Sequence, residues 1–164
     1  MAIDTRTDLS PLSPGDTADL TETLFSEERV AVPVHVRIPA ASGYVRVVRE
    51  MVDCLCQLRS LSEDVRAAVK LAVGEAVNNA VAYARAEDGR PEVDVVIRLH
   101  ANLLEIEVIN ESGGFQPETP GKMPDAELLA ENGRGLALMN IMMDEVEYFV
   151  RDGKTVALMR KWLS

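Results

Sequence analysis

The chain has 164 residues, 47% apolar and 27% charged, which fits one soluble globular domain with or without a tail. Lysine and arginine number 17 against 27 acids, a formal charge of −10, so a nucleic-acid backbone would be repelled, and no local basic patch offsets this. No run of about 18 apolar residues could span a bilayer, and the opening MAIDTRTDLS lacks the basic and apolar regions of a secretory signal, so the cytoplasm is the expected location.

Residues 1–30 hold Asp4, Asp8, Asp16, Asp19, Glu22, Glu27 and Glu28 against Arg6 and Arg29. With Pro11, Pro14, Gly15 and many Ser and Thr, the segment buries too little apolar surface to offset ordering and is expected to be a disordered acidic tail. The structured domain is expected over 31–164. Val34, Val36 and Ile38 alternate with His35 and Arg37, a strand pattern closed by Pro39. Ser42 is the expected N-cap of a helix to about Leu58, with Val45, Val48, Val52 and Leu55 as its apolar face. Cys54 and Cys56 point to opposite faces of that helix, and His35 and His100 have no His/Cys cluster nearby, so neither a disulfide nor a zinc site is expected.

A second helix is expected from an N-cap at Ser62, with Glu63 and Asp64 in its first turn, to about Ala84. Its Ala- and Val-rich surface predicts burial between layers. Residues 92–99 and 103–109 read as strands of a hairpin around His100-Ala101-Asn102. The stretch 110–132, with Gly113, Gly114, Pro117, Pro120, Gly121 and Pro124, reads as a long loop, and such loops are functional or disordered. Helical periodicity resumes from Gly133 to Met143, with Met139, Met142 and Met143 as core filler. Residues 145–151 and 154–161 form a last hairpin around Asp152-Gly153. This order predicts an α/β protein, a two-layer α/β sandwich with a mainly antiparallel sheet.

Three segments carry candidate chemistry. Glu75 and Asn79, four apart, share a face of the buried helix, and Asn78 adjoins it. Buried polar groups need partners, which ligand or cation chemistry, or a buried Lys or Arg beside Glu75, would supply. Gly133 and Gly135 open a helix; glycine lets an anion approach the backbone, and first-turn N–H groups favour phosphate, although a plain turn uses the same residues. Asn110-Glu111-Ser112-Gly113-Gly114 follows a strand end, where such a turn could wall a base pocket.

Together, AVGEAVNNAVAYA and NGRGLALMNIMMDEVEY resemble the N box and second glycine box of the anti-sigma factor serine/threonine kinases of bacterial partner-switching systems. These belong to the GHKL ATPase superfamily, and the resemblance covers roughly residues 33–161. It implies the Bergerat ATP-binding fold, ATP and Mg2+ as cofactors, Glu75 as general base and Asn79 as the magnesium-binding residue. Asn78, Asn79, Asn110, Ser112 and Gly114 would contact nucleotide. So would Gly133, Arg134, Gly135 and Leu136, beyond a lid at 116–132. The first glycine box departs from the family pattern Asp-x-Gly-x-Gly, with Asn110, Ser112 and Gly114 at the matching positions. The resemblance also implies a sigma factor and an anti-anti-sigma (STAS-domain) protein as partners, with no direct nucleic-acid or membrane contact. A homodimer is expected too, through an apolar surface near Val34, Val36 and Val45. A module of the same fold that acts by protein contacts alone, and an unrelated α/β domain, are the alternatives.

Overall fold

The computed structural model describes residues 33–86, 89–111 and 133–163. Strand β1 (Val34–Pro39) turns Val34, Val36 and Ile38 toward the core, as its alternation predicts. Ser42 does not cap the next helix. It heads a 3-10 turn, Ser42–Tyr44, without a side-chain cap, and α1 starts three residues later, at Val45–Leu58. The Tyr44 N–H bonds to the Ala41 carbonyl at 3.0 Å, and the Val45 N–H to the Ser42 carbonyl. These tight bonds satisfy donors that a serine hydroxyl would otherwise serve.

The expected core face of α1 holds at Val45, Val48 and Val52, which are buried, while Leu55 is half-buried against the core; Cys56 is buried too and Cys54 is exposed. Its end is closed by Ser60 at φ 56°, with the Ser60 N–H on the Gln57 carbonyl at 2.8 Å and the Leu61 N–H on the Cys56 carbonyl at 3.1 Å. This is a Schellman motif with serine in the left-handed position that glycine usually takes.

Helix α2 (Glu63–Tyr83) is capped by the Ser62 Oγ, which accepts from the Val65 N–H at 3.4 Å. Val69, Ala72, Val73, Ala76 and Val77 are buried along it. Each such valine contributes about 1.5–3 kcal/mol. The helix packs against α1, against the sheet and against α3 (Gly133–Met142). Strands β2 (Glu92–Leu99), β3 (Leu103–Asn110), β4 (Glu145–Arg151) and β5 (Lys154–Trp162) complete one antiparallel sheet of order β1-β2-β3-β5-β4. The last turn uses Asp152 and Gly153 at φ 52° and 75°, the geometry a two-residue hairpin requires. The result is the expected two-layer α/β arrangement, in which, among the described residues, three helices cover one face of a five-stranded sheet.

Val45 lies in the core, and Val34 and Val36 are half-buried against it. The acidic tail and the lid at 116–132 lie outside the described residues.

Candidate functional site

Strand parity places Asn110. Leu104, Ile106 and Val108 point from β3 into the core, and Asn110, two residues further in the same phase, is a buried polar residue (6% exposed) where the core ends. It pairs in register with Val93 on one side and Thr155 on the other, and Thr155 is buried as well. The Asn110 Nδ2 donates a long bond, 3.5 Å, to the Glu111 carbonyl. The Arg85 N–H donates to that same carbonyl at 2.7 Å, tying the exit of α2 to the end of β3.

Asn79 lies six residues before Arg85, in the last turns of α2. Glu75 is one turn earlier on the same face. Both are half-buried, whereas Asn78 is exposed. Among the described residues Glu75 makes no hydrogen bond or ion pair, so the Lys or Arg partner considered for it is not found there. Its neighbour is the first turn of α3. A Cβ built on Gly135 would stand 2.8 Å from Glu75 Oε2, closer than real contacts allow, so glycine at 135 is what lets the carboxylate lie against α3. The helix dipole favours negative charge at this end. Gly133 and Arg134 open α3, and Leu136 is buried in the core beneath it. On the other side of α2, Arg49 of α1 lies over Gly74, whose added Cβ would meet Arg49 Cδ at 3.0 Å.

The Tyr148 hydroxyl of β4 donates to Met139 Sδ of α3 at 3.9 Å. Burial pushes the Tyr148 hydroxyl up to about 12, against a smaller lowering by the Asn79 side chain, so it stays a neutral phenol. Tyr148 and Thr155 also face inward here, on β4 and β5. The period-2 pattern marks both as inward-facing, but only tertiary structure reveals what they face.

The arrangement thus joins Glu75, Asn79, Gly135 and Leu136 where α2 and α3 meet, with Asn110 at the strand end tied to the exit of α2. Ser112 and Gly114 lie outside the described residues. No group of three or more His, Cys, Asp or Glu among the described residues could hold a metal. A divalent cation at Asn79 would therefore take an amide oxygen from the protein and its other ligands from phosphate and water, a donor set that suits magnesium. A cavity of about 520 Å³ opens at the same end of the sheet, lined by Asn110, Arg37, Arg85, Arg90 and Lys154 among others, but neither Glu75 nor Asn79 lines it.

Residues 38–161 match the family described as Histidine kinase-like ATPase domain. Curated relatives include the serine-protein kinase RsbW of Bacillus subtilis (strain 168), 33% identical over 140 residues, which are 80% of this chain and 86% of that protein. The serine-protein kinase RsbW of Bacillus pumilus (strain SAFR-032) is 34% identical over 136 residues, with 76% and 83% covered. Among solved structures, the RsbU and RsbW domains of a Mycobacterium tuberculosis protein are similar in fold, with a TM-score of 0.59 and 20% identity. That match covers 80% of this chain and 32% of the other. No helix among the described residues is long and apolar enough to cross a membrane.

Proposed function

The chain belongs to the histidine kinase-like ATPase family, and within it to the anti-sigma factor serine kinases; we propose that it binds a sigma factor and uses Mg-ATP to phosphorylate an anti-anti-sigma (STAS-domain) partner. The observation that carries this reading is the contact at Gly135: a carboxylate without a partner among the described residues lies one helical turn from Asn79, against the start of a glycine-opened helix.

Each residue then has a role that follows from its chemistry. Glu75 accepts the proton of the attacking serine or threonine hydroxyl as that oxygen bonds to the γ-phosphorus and the bond to the departing ADP oxygen breaks. Asn79 offers its amide oxygen to magnesium, which neutralises phosphate charge when bound with ATP. Gly133, Arg134 and Gly135 present backbone N–H groups to phosphate, and Asn78 and Leu136 complete that end. Asn110, with Ser112 and Gly114, holds the adenine. In this reading the domain spans 31–164, acts in the cytoplasm as a homodimer, and switches when the STAS partner competes for the sigma-binding surface. It needs neither direct nucleic-acid nor membrane contact.

Asn110 favours a second reading, a module that binds partners without phosphotransfer, because a neutral amide replaces the family's carboxylate at the base pocket. The experiment that separates the two is incubation of the purified chain with magnesium, labelled ATP and a STAS-domain protein encoded beside it. Label on the STAS protein supports the kinase; complex formation without label supports the contact module.

A further inference from the structure

A sheet with helices on one face and solvent on the other alternates buried and exposed residues along each strand. Strand β3 largely does so, but β2 and β5 do not: burial runs unbroken over Val93–Ile97 and over Thr155–Met159. Unbroken burial is the mark of a strand covered on both faces.

Val96 and Leu158 flank Glu107 in register, and Val156 pairs with Ile109 in the next outward row, so all three point away from the helices. They are 8%, 6% and 0% exposed. They are nevertheless not part of the core that the helices share with Val95, Ile97, Ala157 and Met159. The side chains of Arg98, Arg151 and Arg160 border them, held by Glu105 and Glu107.

Two long stretches of chain lie outside the described residues. The one between β3 and α3 re-enters at Gly133 on the helix side, where α3 packs on α2. The other, residues 1–32, leads into Pro33 at the edge strand β1. Crossing from β1 to β5 takes three strand spacings, about 14 Å, and the eight residues from Phe25 to Pro33 can span about 26 Å. The segment supplies Leu20, Leu24 and Phe25 as apolar contacts. Its seven acids against two bases suit a strip bordered by three guanidiniums, each with five N–H donors. Alone it buries too little apolar surface to order, whereas on the sheet the second apolar surface is already in place.

We propose that residues 20–32 fold back across the outward face of the sheet, seating Leu20, Leu24 and Phe25 over Val96, Val156 and Leu158. The tether to β1 holds the segment at high effective concentration, and its seating depends on neither nucleotide nor partner.

The test uses the full chain with 13C-labelled valine and leucine methyl groups and a soluble gadolinium chelate, which broadens each methyl resonance according to its exposure. In the wild type, Val96, Val156 and Leu158 should be protected like the fully buried Val95 and unlike Val47, which is 58% exposed. In the full chain carrying Leu20→Ser, Leu24→Ser and Phe25→Ser together, those three residues should lose their protection and move toward Val47. Val95 and Leu104, on the helix side, should stay protected and so show that the fold persists. Protection retained at the three residues in the serine variant would overturn the proposal, because the bordering side chains would then cover the strip by themselves. Protection that falls when the wild type is diluted would overturn it too, by assigning the cover to a second copy. A wild type whose three outward residues broaden like Val47 would leave the face open and the proposal refuted.

Discussion

Two carboxylates on opposite sides of the sheet, Glu107 and Glu75, are held in opposite ways. On the face away from the helices, Glu107 is buried and gripped by the Arg151 guanidinium, whose Nη1 and Nη2 donate to its two oxygens at 3.1 and 2.7 Å, with Arg98 at 3.4 Å. Arg37 holds Asp94 in the same two-pronged manner at 2.7 and 3.1 Å, and Arg160 bridges Glu105 and Glu145. On the helix side, half-buried Glu75 has no such partner among the described residues and faces a glycine. A carboxylate used for structure is surrounded by donors, because stranding it would be costly. A carboxylate that must take up a proton is better left uncommitted.

Breaking this contrast at its sharpest point should give the largest effect. Glu75→Gln is expected to lower phosphotransfer to the STAS partner by about two to four orders of magnitude, the range for losing a general base. Nucleotide affinity should stay nearly unchanged, as calorimetry would show. Gly135→Ala probes the same carboxylate without removing it. The atom met by the new Cβ is the end of a flexible side chain, so the carboxylate should move rather than the helix. Transfer is expected to fall about 10–100-fold from misplacement, while thermal unfolding stays level or rises slightly, since alanine suits a helix better than glycine.

On the other face, Arg151→Ala should leave transfer intact and lower stability by about 1–2 kcal/mol. That range is discounted because Arg151 is 45% exposed and Arg98 remains beside Glu107. The Arg151 bonds, against the opposing effect of burial, hold the Glu107 carboxyl below its usual range. Its contribution is therefore complete above the ordinary carboxylate pKa of roughly 4.3 and disappears as pH falls through the lower folded value. Urea unfolding of the two proteins should differ most at neutral pH and converge in acid. The smallest effect is at the base pocket. Asn110→Asp restores a charge-assisted acceptor worth about 1 kcal/mol more than the amide, so calorimetry should show ATP binding tightened about five- to tenfold.

Much of this architecture is legible in the residues, because periodicity reports which side of an element is buried. The alternation of β1 and β3, the Val and Ala face of α2, the Ser62 cap and the Asp152-Gly153 turn all appear where the pattern predicts them. The positions that escape are those where tertiary contact or backbone geometry overrides a local signal. Ser42 has the right chemistry for a cap, but a 3-10 turn takes its place. Ser60 closes α1 at a positive φ with no glycine to announce it. The pairing of Glu75 with Asn79 follows from spacing alone. By contrast, the approach of Gly135 to Glu75 joins segments about 60 positions apart, which no local pattern relates.

The most direct test of the contrast puts Glu75→Gln and Glu107→Gln through the same two assays, label transfer from ATP to the STAS protein and urea unfolding. Glu75→Gln should lose transfer by at least about 100-fold and keep its unfolding free energy within about 0.5 kcal/mol. Glu107→Gln should keep transfer and lose about 1–2 kcal/mol of stability. Transfer that survives in Glu75→Gln, or a loss of stability there as large as in Glu107→Gln, would contradict the account, since Glu75 would then be one more structural carboxylate.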